Sequence, residues 1–236
     1  MTSTPTNTVS PVPAVVSSTE ISPQPPQPPH PPHPPDPLAP LRDFVTGMTA
    51  LVGATTNEPE LLRQGRLHLA RLLASDHWLP PAFAAPRPDR YAQHLLHCDA
   101  QERFSVVSFV WGPGHHTPVH DHTVWGLVGV LRGAEACDEY VWVAGRAEPI
   151  GRRHVMQPGD IEAVSPSVGD WHRVSNALAA DSPGGGVTVS IHVYGANIGA
   201  VRRHRQDDAG QVHTFISGYD SDVLPNLWDR SAALRG

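Results

Sequence analysis

Two stretches of the chain carry apolar residues at helical spacing. The first covers residues 41–52 and combines Leu, Phe, Val and Met, and the second covers residues 61–73 and is rich in Leu. Apolar positions every three or four residues place one face of a helix against a core. The pattern therefore predicts two α-helices, of which the second ends before Pro80.

From about Arg103 onward the hydrophobic pattern has a different period. Short runs rich in Val, Ile, Phe and Trp are separated by Gly, Pro or Asp. The runs are RFSVVSFVW, TVWGLVGVL, CDEYVWVAG, HVMQPGD, IEAVS, HRVSN and VTVSIHVYG. Many short strands with glycine-rich turns, and with no helix between them, are typical of an antiparallel sandwich or a small barrel. The predicted fold class is therefore mainly β, preceded by helices.

Composition separates the N-terminal forty residues from the rest. They hold more than half of the 26 prolines, and their only charged residues are Glu20 and Asp36. Such a segment cannot bury enough apolar surface to offset its ordering entropy. Residues 1–40 are therefore predicted to be a disordered proline-rich tail, although their PxxP spacings also suit a ligand of an aromatic groove. Residues 41–236 have a normal size for one globular domain.

Charge and cysteine content narrow the classes of partner. The net charge of −6 and the lack of a dense Lys/Arg block argue against nucleic acid or an anionic membrane as the main partner. The sequence shows neither a long apolar run nor a secretory signal, so we expect a cytoplasmic location. Cys98 and Cys137 are not part of a CxxC pair, and buried or idle thiols are the expected state of both. The sequence predicts no oligomeric state.

Three histidines are candidate metal ligands. His120 and His122 stand one residue apart, and alternate side chains of a strand leave the same face, so both imidazoles can reach one point. His172 follows the turn-like segment SPSVGD and begins a predicted strand, from which it can face the pair across a barrel. Three neutral imidazoles would bind a borderline divalent metal and leave positions open for substrate and water.

The spacing around these histidines resembles the two motifs of the cupin superfamily. The first motif is matched by Gly114, His120, His122 and Gly133, and the second by Pro166, Gly169, His172 and Asn176. The second motif contains one extra residue between Pro and Gly. In the first, Gly126 stands where cupins carry a glutamate. The resemblance covers roughly residues 40 to 215 and implies a small antiparallel β-barrel, or jelly roll.

The missing glutamate makes the chain similar to the thiol dioxygenase branch of the cupins, the cysteine dioxygenase type I-like family. That resemblance implies that His120, His122 and His172 hold Fe(II), and that O2 is added to a thiol to give a sulfinic acid. Members of the branch carry a Ser-His-Tyr relay. Ser190, His192 and Tyr194 alternate along one predicted strand and match it. A polar outer face of an edge strand is the other reading of these three residues.

The resemblance also bears on the substrate. Animal cysteine dioxygenases carry an Arg two residues after a Tyr, and Gln93 takes that place after Tyr91. The chain is thus closer to the Gln-type bacterial 3-mercaptopropionate dioxygenases, in which an Arg beyond the relay Tyr serves the substrate carboxylate. Arg203 is the candidate here, with Arg202 as the alternative. Gln93 would contribute a hydrogen bond without a charge.

The activity that the resemblance implies is oxidation of 3-mercaptopropionate to 3-sulfinopropionate, with Fe(II) as cofactor and with a small thiol and O2 as partners. A cysteine dioxygenase is the first alternative. A non-iron cupin enzyme, such as a zinc or manganese isomerase or hydrolase, and a cupin binding module without catalysis are more remote ones. Residues 123–127 lack the Cys that animal cysteine dioxygenases link to the relay Tyr, so Tyr194 is expected to be an ordinary phenol.

Overall fold

The computed structural model describes residues 36–231 and residue 235, and the predicted disordered tail therefore lies almost entirely outside the described residues. The described part contains two α-helices followed by eleven β-strands. The helices are α1 (Ala39–Ala54) and α2 (Glu58–Leu73). The strands are β1 (Ala92–Cys98), β2 (Ser105–Trp111), β3 (Val119–His120), β4 (Gly126–Arg132), β5 (Glu135–Val143), β6 (Arg146–Met156), β7 (Ile161–Val164), β8 (His172–Asn176), β9 (Thr188–Tyr194), β10 (Arg203–Gln206) and β11 (Val212–Phe215).

Local signals explain where the second helix begins. The Asn57 side chain accepts a hydrogen bond of 3.0 Å from the backbone N–H of Glu60, which satisfies one of the free donors at the start of α2. Glu58 and Glu60 lie in the first turn, where negative charge interacts favourably with the helix dipole. Both predicted helices are confirmed, and each is longer than its apolar pattern.

The strands form two antiparallel sheets. One has the order β1-β2-β9-β4-β7, and the other has the order β11-β10-β3-β8-β5-β6. The prediction of a mainly β, antiparallel fold preceded by helices is confirmed. Within the described residues, no helix is long and apolar enough to cross a membrane.

The central strand β9 is buried on both faces. Val189, Ile191 and Val193 belong to the core cluster that also contains most of the buried residues of both helices. Tyr194 belongs to a second cluster, which joins residues of β2 and β9 to Val174 of the other sheet. Alternate side chains of β9 therefore face either the helices or the space between the sheets.

Three strands were not predicted. The first sheet begins at β1, ahead of the Arg103 boundary that the pattern indicated. The pattern missed β1 because this strand carries histidine and glutamine among its apolar residues. The strands β10 and β11 form an antiparallel hairpin that is largely polar, and its sequence has no apolar alternation. Their strand character depends on pairing with β3, a long-range contact that a local pattern does not contain.

Candidate metal centre

The structure brings His120, His122 and His172 together between the two sheets. His120 ends β3 and lies directly opposite His172, the first residue of β8. The three ring centroids are 4.8–4.9 Å apart, and one nitrogen of each ring lies within 4.8 Å of the others. All three side chains are buried. This three-histidine site could hold a metal ion, as the sequence predicted.

Each imidazole is oriented by a partner at Nδ1. His120 Nδ1 lies 3.1 Å from the carbonyl oxygen of Pro118, and His122 Nδ1 lies 2.9 Å from Asp170 Oδ1. His172 Nδ1 lies 3.5 Å from the sulfur of Cys137. A ring whose Nδ1 is held in this way presents Nε2 to a metal. The site therefore offers three Nε2 atoms.

Asp170 is a supporting residue that the sequence reading did not identify. Besides the His122 ring, its carboxylate accepts hydrogen bonds from the backbone N–H groups of His122 at 2.9 Å and Thr123 at 3.0 Å. Thr123 has a φ of 60°, which is unfavourable for a β-branched residue. Asp170 thus holds the turn that follows β3 and fixes the His122 ring.

Burial keeps the three ligands neutral. It is the largest cause that lowers the pKa of His120 and His122 well below the usual histidine value, and it lowers the pKa of His172 to about 4. The neighbouring imidazoles add to the effect at His120 and His122. Neutral imidazole is the form that binds a metal.

Gly126 stands where a carboxylate ligand would otherwise begin, and the structure leaves no room for a side chain there. Gly126 lies opposite Tyr194 in the β4–β9 pair, and a Cβ atom on Gly126 would lie 2.8 Å from Cδ1 of Tyr194 and 3.0 Å from Cγ2 of Val164. The phenol ring of Tyr194 therefore occupies the space in which a glutamate side chain would begin. The same ring stacks on His122 at 5.3 Å between centroids.

Ser190, His192 and Tyr194 form a hydrogen-bonded chain, which we call the relay. Ser190 Oγ lies 2.9 Å from His192 Nε2, and His192 Nδ1 lies 2.8 Å from the Tyr194 hydroxyl. All three are buried on a central strand, so the alternative reading of a polar outer face on an edge strand is wrong.

Arg203 and Gln93 lie near each other at the same cavity. Arg203 donates a hydrogen bond of 2.6 Å to the Ser217 hydroxyl, and Gln93 donates one of 3.0 Å to the same oxygen. Arg203 is buried, and its Nε has no hydrogen-bond partner among the described residues. Burial lowers the pKa of its guanidinium. The alternative, Arg202, is exposed and does not line the cavity.

These groups line a cavity of about 210 Å³. The three histidines, the relay's His192 and Tyr194, Gln93 and Arg203 all face it. Tyr91, Phe109 and Trp111 form an aromatic wall with centroid distances of 4.9–5.8 Å. The volume is below the roughly 300 Å³ at which pockets for drug-sized ligands begin. The cavity thus suits a small molecule.

Cys137 is a buried thiol, as expected, and its sulfur lies against a candidate metal ligand. It is buried behind the His172 ring, and it also forms a group with His154 and Glu162 whose ligand atoms lie within 4.8 Å of one another. His154 already pairs with Glu162. Cys98 is the last residue of β1 and is partly exposed.

No protein-family model matches the chain. Among solved structures, it is similar to an uncharacterised conserved protein with a double-stranded β-helix domain from Klebsiella pneumoniae, at 17% identity over 50% of this chain and 89% of that one, with a TM-score of 0.39. A cupin superfamily protein from Desulfitobacterium hafniense matches at 12% identity over 48% and 84% of the two chains, with a TM-score of 0.35. Similarity at this level does not identify an activity.

Proposed function

We propose that this protein is a non-heme iron(II) thiol dioxygenase of the cupin type, which converts a small carboxylated thiol to a sulfinic acid. The observation that carries the proposal is the combination, in one cavity, of a three-histidine site without a carboxylate and a buried Ser-His-Tyr relay. The donor set fits iron(II), because neutral imidazole is a suitable ligand for this ion. Three neutral ligands leave its dipositive charge intact, which favours an anionic thiolate.

Arg203 supports a substrate that carries a carboxylate. Its guanidinium is buried at the cavity with Nε unpaired among the described residues, and no acidic side chain lines that cavity within the described part. A buried cation without a counter-ion is costly, and a substrate carboxylate would relieve that cost. Gln93 lies beside it, and its amide nitrogen donates to the Ser217 hydroxyl at 3.0 Å and to the carbonyl oxygen of Gly218 at 2.8 Å. One of these two hydrogens would have to turn toward the substrate to bond a second carboxylate oxygen.

The same charge distribution favours 3-mercaptopropionate over cysteine. The α-ammonium group of cysteine would enter a cavity lined by Arg203 and Arg205, and no carboxylate among the described lining residues would receive it. A thiol that lacks the amino group avoids this repulsion.

In the proposed mechanism, the protein holds the substrate and directs one hydrogen bond. Arg203 and Gln93 orient the carboxylate, and the aromatic wall lines the cavity beside it. Iron(II), when bound, supplies the chemistry that joins both atoms of O2 to the substrate sulfur. His120, His122 and His172 hold the ion, and Tyr194 presents its hydroxyl to the reacting group. His192 and Ser190 fix the position of that hydroxyl.

Oxygen consumption by the iron-loaded protein tests the proposal. We expect uptake with 3-mercaptopropionate to be faster than with cysteine, and slowest with cysteamine, which lacks the carboxylate. Faster turnover of cysteine would assign the protein as a cysteine dioxygenase. If none of the three thiols stimulates uptake in protein shown to contain iron, the proposed activity is wrong.

A further inference from the structure

A fourth buried polar residue extends the relay. Glu135 Oε2 lies 2.7 Å from Ser190 Oγ, and the side chain is 1% exposed. Glu135 begins β5, in the sheet opposite the relay strand, and its neighbours across the ladder are the uncharged Met156 and Asn176. No basic residue pairs with it among the described residues. Its contact with Ser190 joins the two sheets.

The hydroxyl of Ser190 has three partners, and their chemistry limits how the hydrogens are arranged. Trp111 Nε1, 3.1 Å away, can only donate, so it occupies one lone pair of Ser190 Oγ. One lone pair and one hydrogen remain for Glu135 and His192. Whichever of these two accepts the hydrogen of Ser190, the other must donate to it.

We propose that Glu135 is a positioning residue that sets the direction of the hydrogen bonds along the relay, and thereby decides whether Tyr194 donates its hydroxyl hydrogen into the cavity. This inference rests on the proposed function for its catalytic consequence. The hydrogen-bond geometry that carries it does not depend on that function.

An ionised Glu135 permits one arrangement. The carboxylate can only accept, so Ser190 donates to it and the Nε2–H of His192 donates to Ser190. His192 Nδ1 is then an acceptor, and it takes the hydroxyl hydrogen of Tyr194. In this state the Tyr194 oxygen faces the cavity as an acceptor.

A protonated Glu135 permits the reverse arrangement. The carboxylic acid donates to Ser190, Ser190 donates to His192 Nε2, and the Nδ1–H of His192 donates to the Tyr194 oxygen. The hydroxyl hydrogen of Tyr194 is then free to point into the cavity. One proton at Glu135 thus decides whether the Tyr194 hydroxyl faces the cavity as a hydrogen-bond acceptor or as a donor.

The surroundings of Glu135 place its titration in the neutral range. Burial is the largest cause that raises the pKa of Glu135 to about 7, and the nearby Glu162 carboxylate raises it further. The hydrogen bond from Ser190 opposes this rise. Burial holds the pKa of the relay's His192 well below the usual value, so that ring stays neutral while Glu135 titrates. The remaining titratable groups nearby, Cys137 and Tyr194, have pKa values raised above their usual range.

Nitrogen-15 NMR of the histidine rings tests the proposal directly. The full chain is loaded with Zn²⁺, a diamagnetic ion that binds the same kind of nitrogen ligand, and the His192 signals are assigned by their loss in His192→Gln. The shifts report which ring nitrogen carries the hydrogen. As the pH falls through about 7, we expect the hydrogen to move from Nε2 to Nδ1 of His192. A tautomer that stays the same across this range would overturn the proposal.

Two variants separate Glu135 from a general effect of pH. In Glu135→Gln the amide does not titrate, and in Ser190→Ala the link between Glu135 and His192 is missing, so the His192 tautomer should be independent of pH in both. Either variant suffices if the other does not fold. A pH-dependent tautomer in a folded Glu135→Gln protein would show that another group controls the relay.

The catalytic consequence has its own readout. With 3-mercaptopropionate, kcat of the iron-loaded wild type should fall as the pH rises above about 7, and this fall should be absent in Glu135→Gln. An unchanged fall in the variant would remove Glu135 from catalysis. If the wild type consumes no oxygen with any thiol, the proposed function has failed, and the NMR titration still decides the role of Glu135.

Discussion

The replacement of Arg203 by Met is the change whose effect the structure predicts most directly. The substitution keeps a long apolar stem and removes a buried charge whose Nε is unpaired among the described residues. A hydrogen bond to a charged group contributes about 1.5–3 kcal/mol, which corresponds to a roughly 10- to 150-fold loss of kcat/KM for 3-mercaptopropionate. The loss of the Ser217 contact is a smaller, structural effect.

The assay compares initial rates of oxygen uptake on 3-mercaptopropionate and on cysteamine. The Arg203→Met protein should lose activity on the carboxylated thiol and keep its activity on cysteamine, because only the first substrate uses the guanidinium. Arg202→Met is the matched control: it removes the same type of charge from an exposed neighbour, and kcat/KM should stay within a factor of about 2. Equal losses on both thiols, or an equal loss in the control, would refute the assignment of Arg203 to the carboxylate.

Three further predictions concern the metal site and the relay. Tyr194→Phe should lower kcat by about 100-fold or more while the iron content measured by elemental analysis stays unchanged, and wild-type turnover would remove the hydroxyl from the mechanism. Asp170→Asn should weaken metal binding about 10- to 100-fold in a chelator competition, because Asp170 holds the His122 ring. Asp121→Asn is the control: it alters the partner of His204 and should leave metal binding unchanged. Gly126→Ala should lower the free energy of unfolding by about 1–3 kcal/mol in a denaturant titration, because the added Cβ would overlap the Tyr194 ring. An unchanged free energy of unfolding would mean that the ring moves aside freely.

Local patterns were sufficient for the parts of the site that lie on single strands. The alternation around Ser190, His192 and Tyr194 placed the three side chains on one face. Strand alternation also suggested that His120 and His122 reach one point, although β3 ends at His120 and His122 lies in the turn that follows it. The position of His172 at the start of a strand followed from the turn before it. In each case the information lies within a few residues of sequence.

The supporting residues depend on contacts between distant strands, and sequence reasoning missed them for that reason. Glu135 reaches Ser190 only because β5 and β9 lie in sheets that face each other, and Asp170 reaches Thr123 across 47 residues of chain. The absence of a glutamate at Gly126 was visible in the sequence. That the ring of Tyr194 fills the adjoining space follows from the register of β4 against β9.

The most direct test of the proposed function is the fate of labelled oxygen. The iron-loaded full chain is supplied with 3-mercaptopropionate and ¹⁸O2 in unlabelled water, and the product is analysed by mass spectrometry. The proposed function predicts 3-sulfinopropionate that carries two ¹⁸O atoms, with one O2 consumed for each sulfinate formed. A product without label, a disulfide as the only product, or oxygen consumption that yields no sulfinate would contradict it.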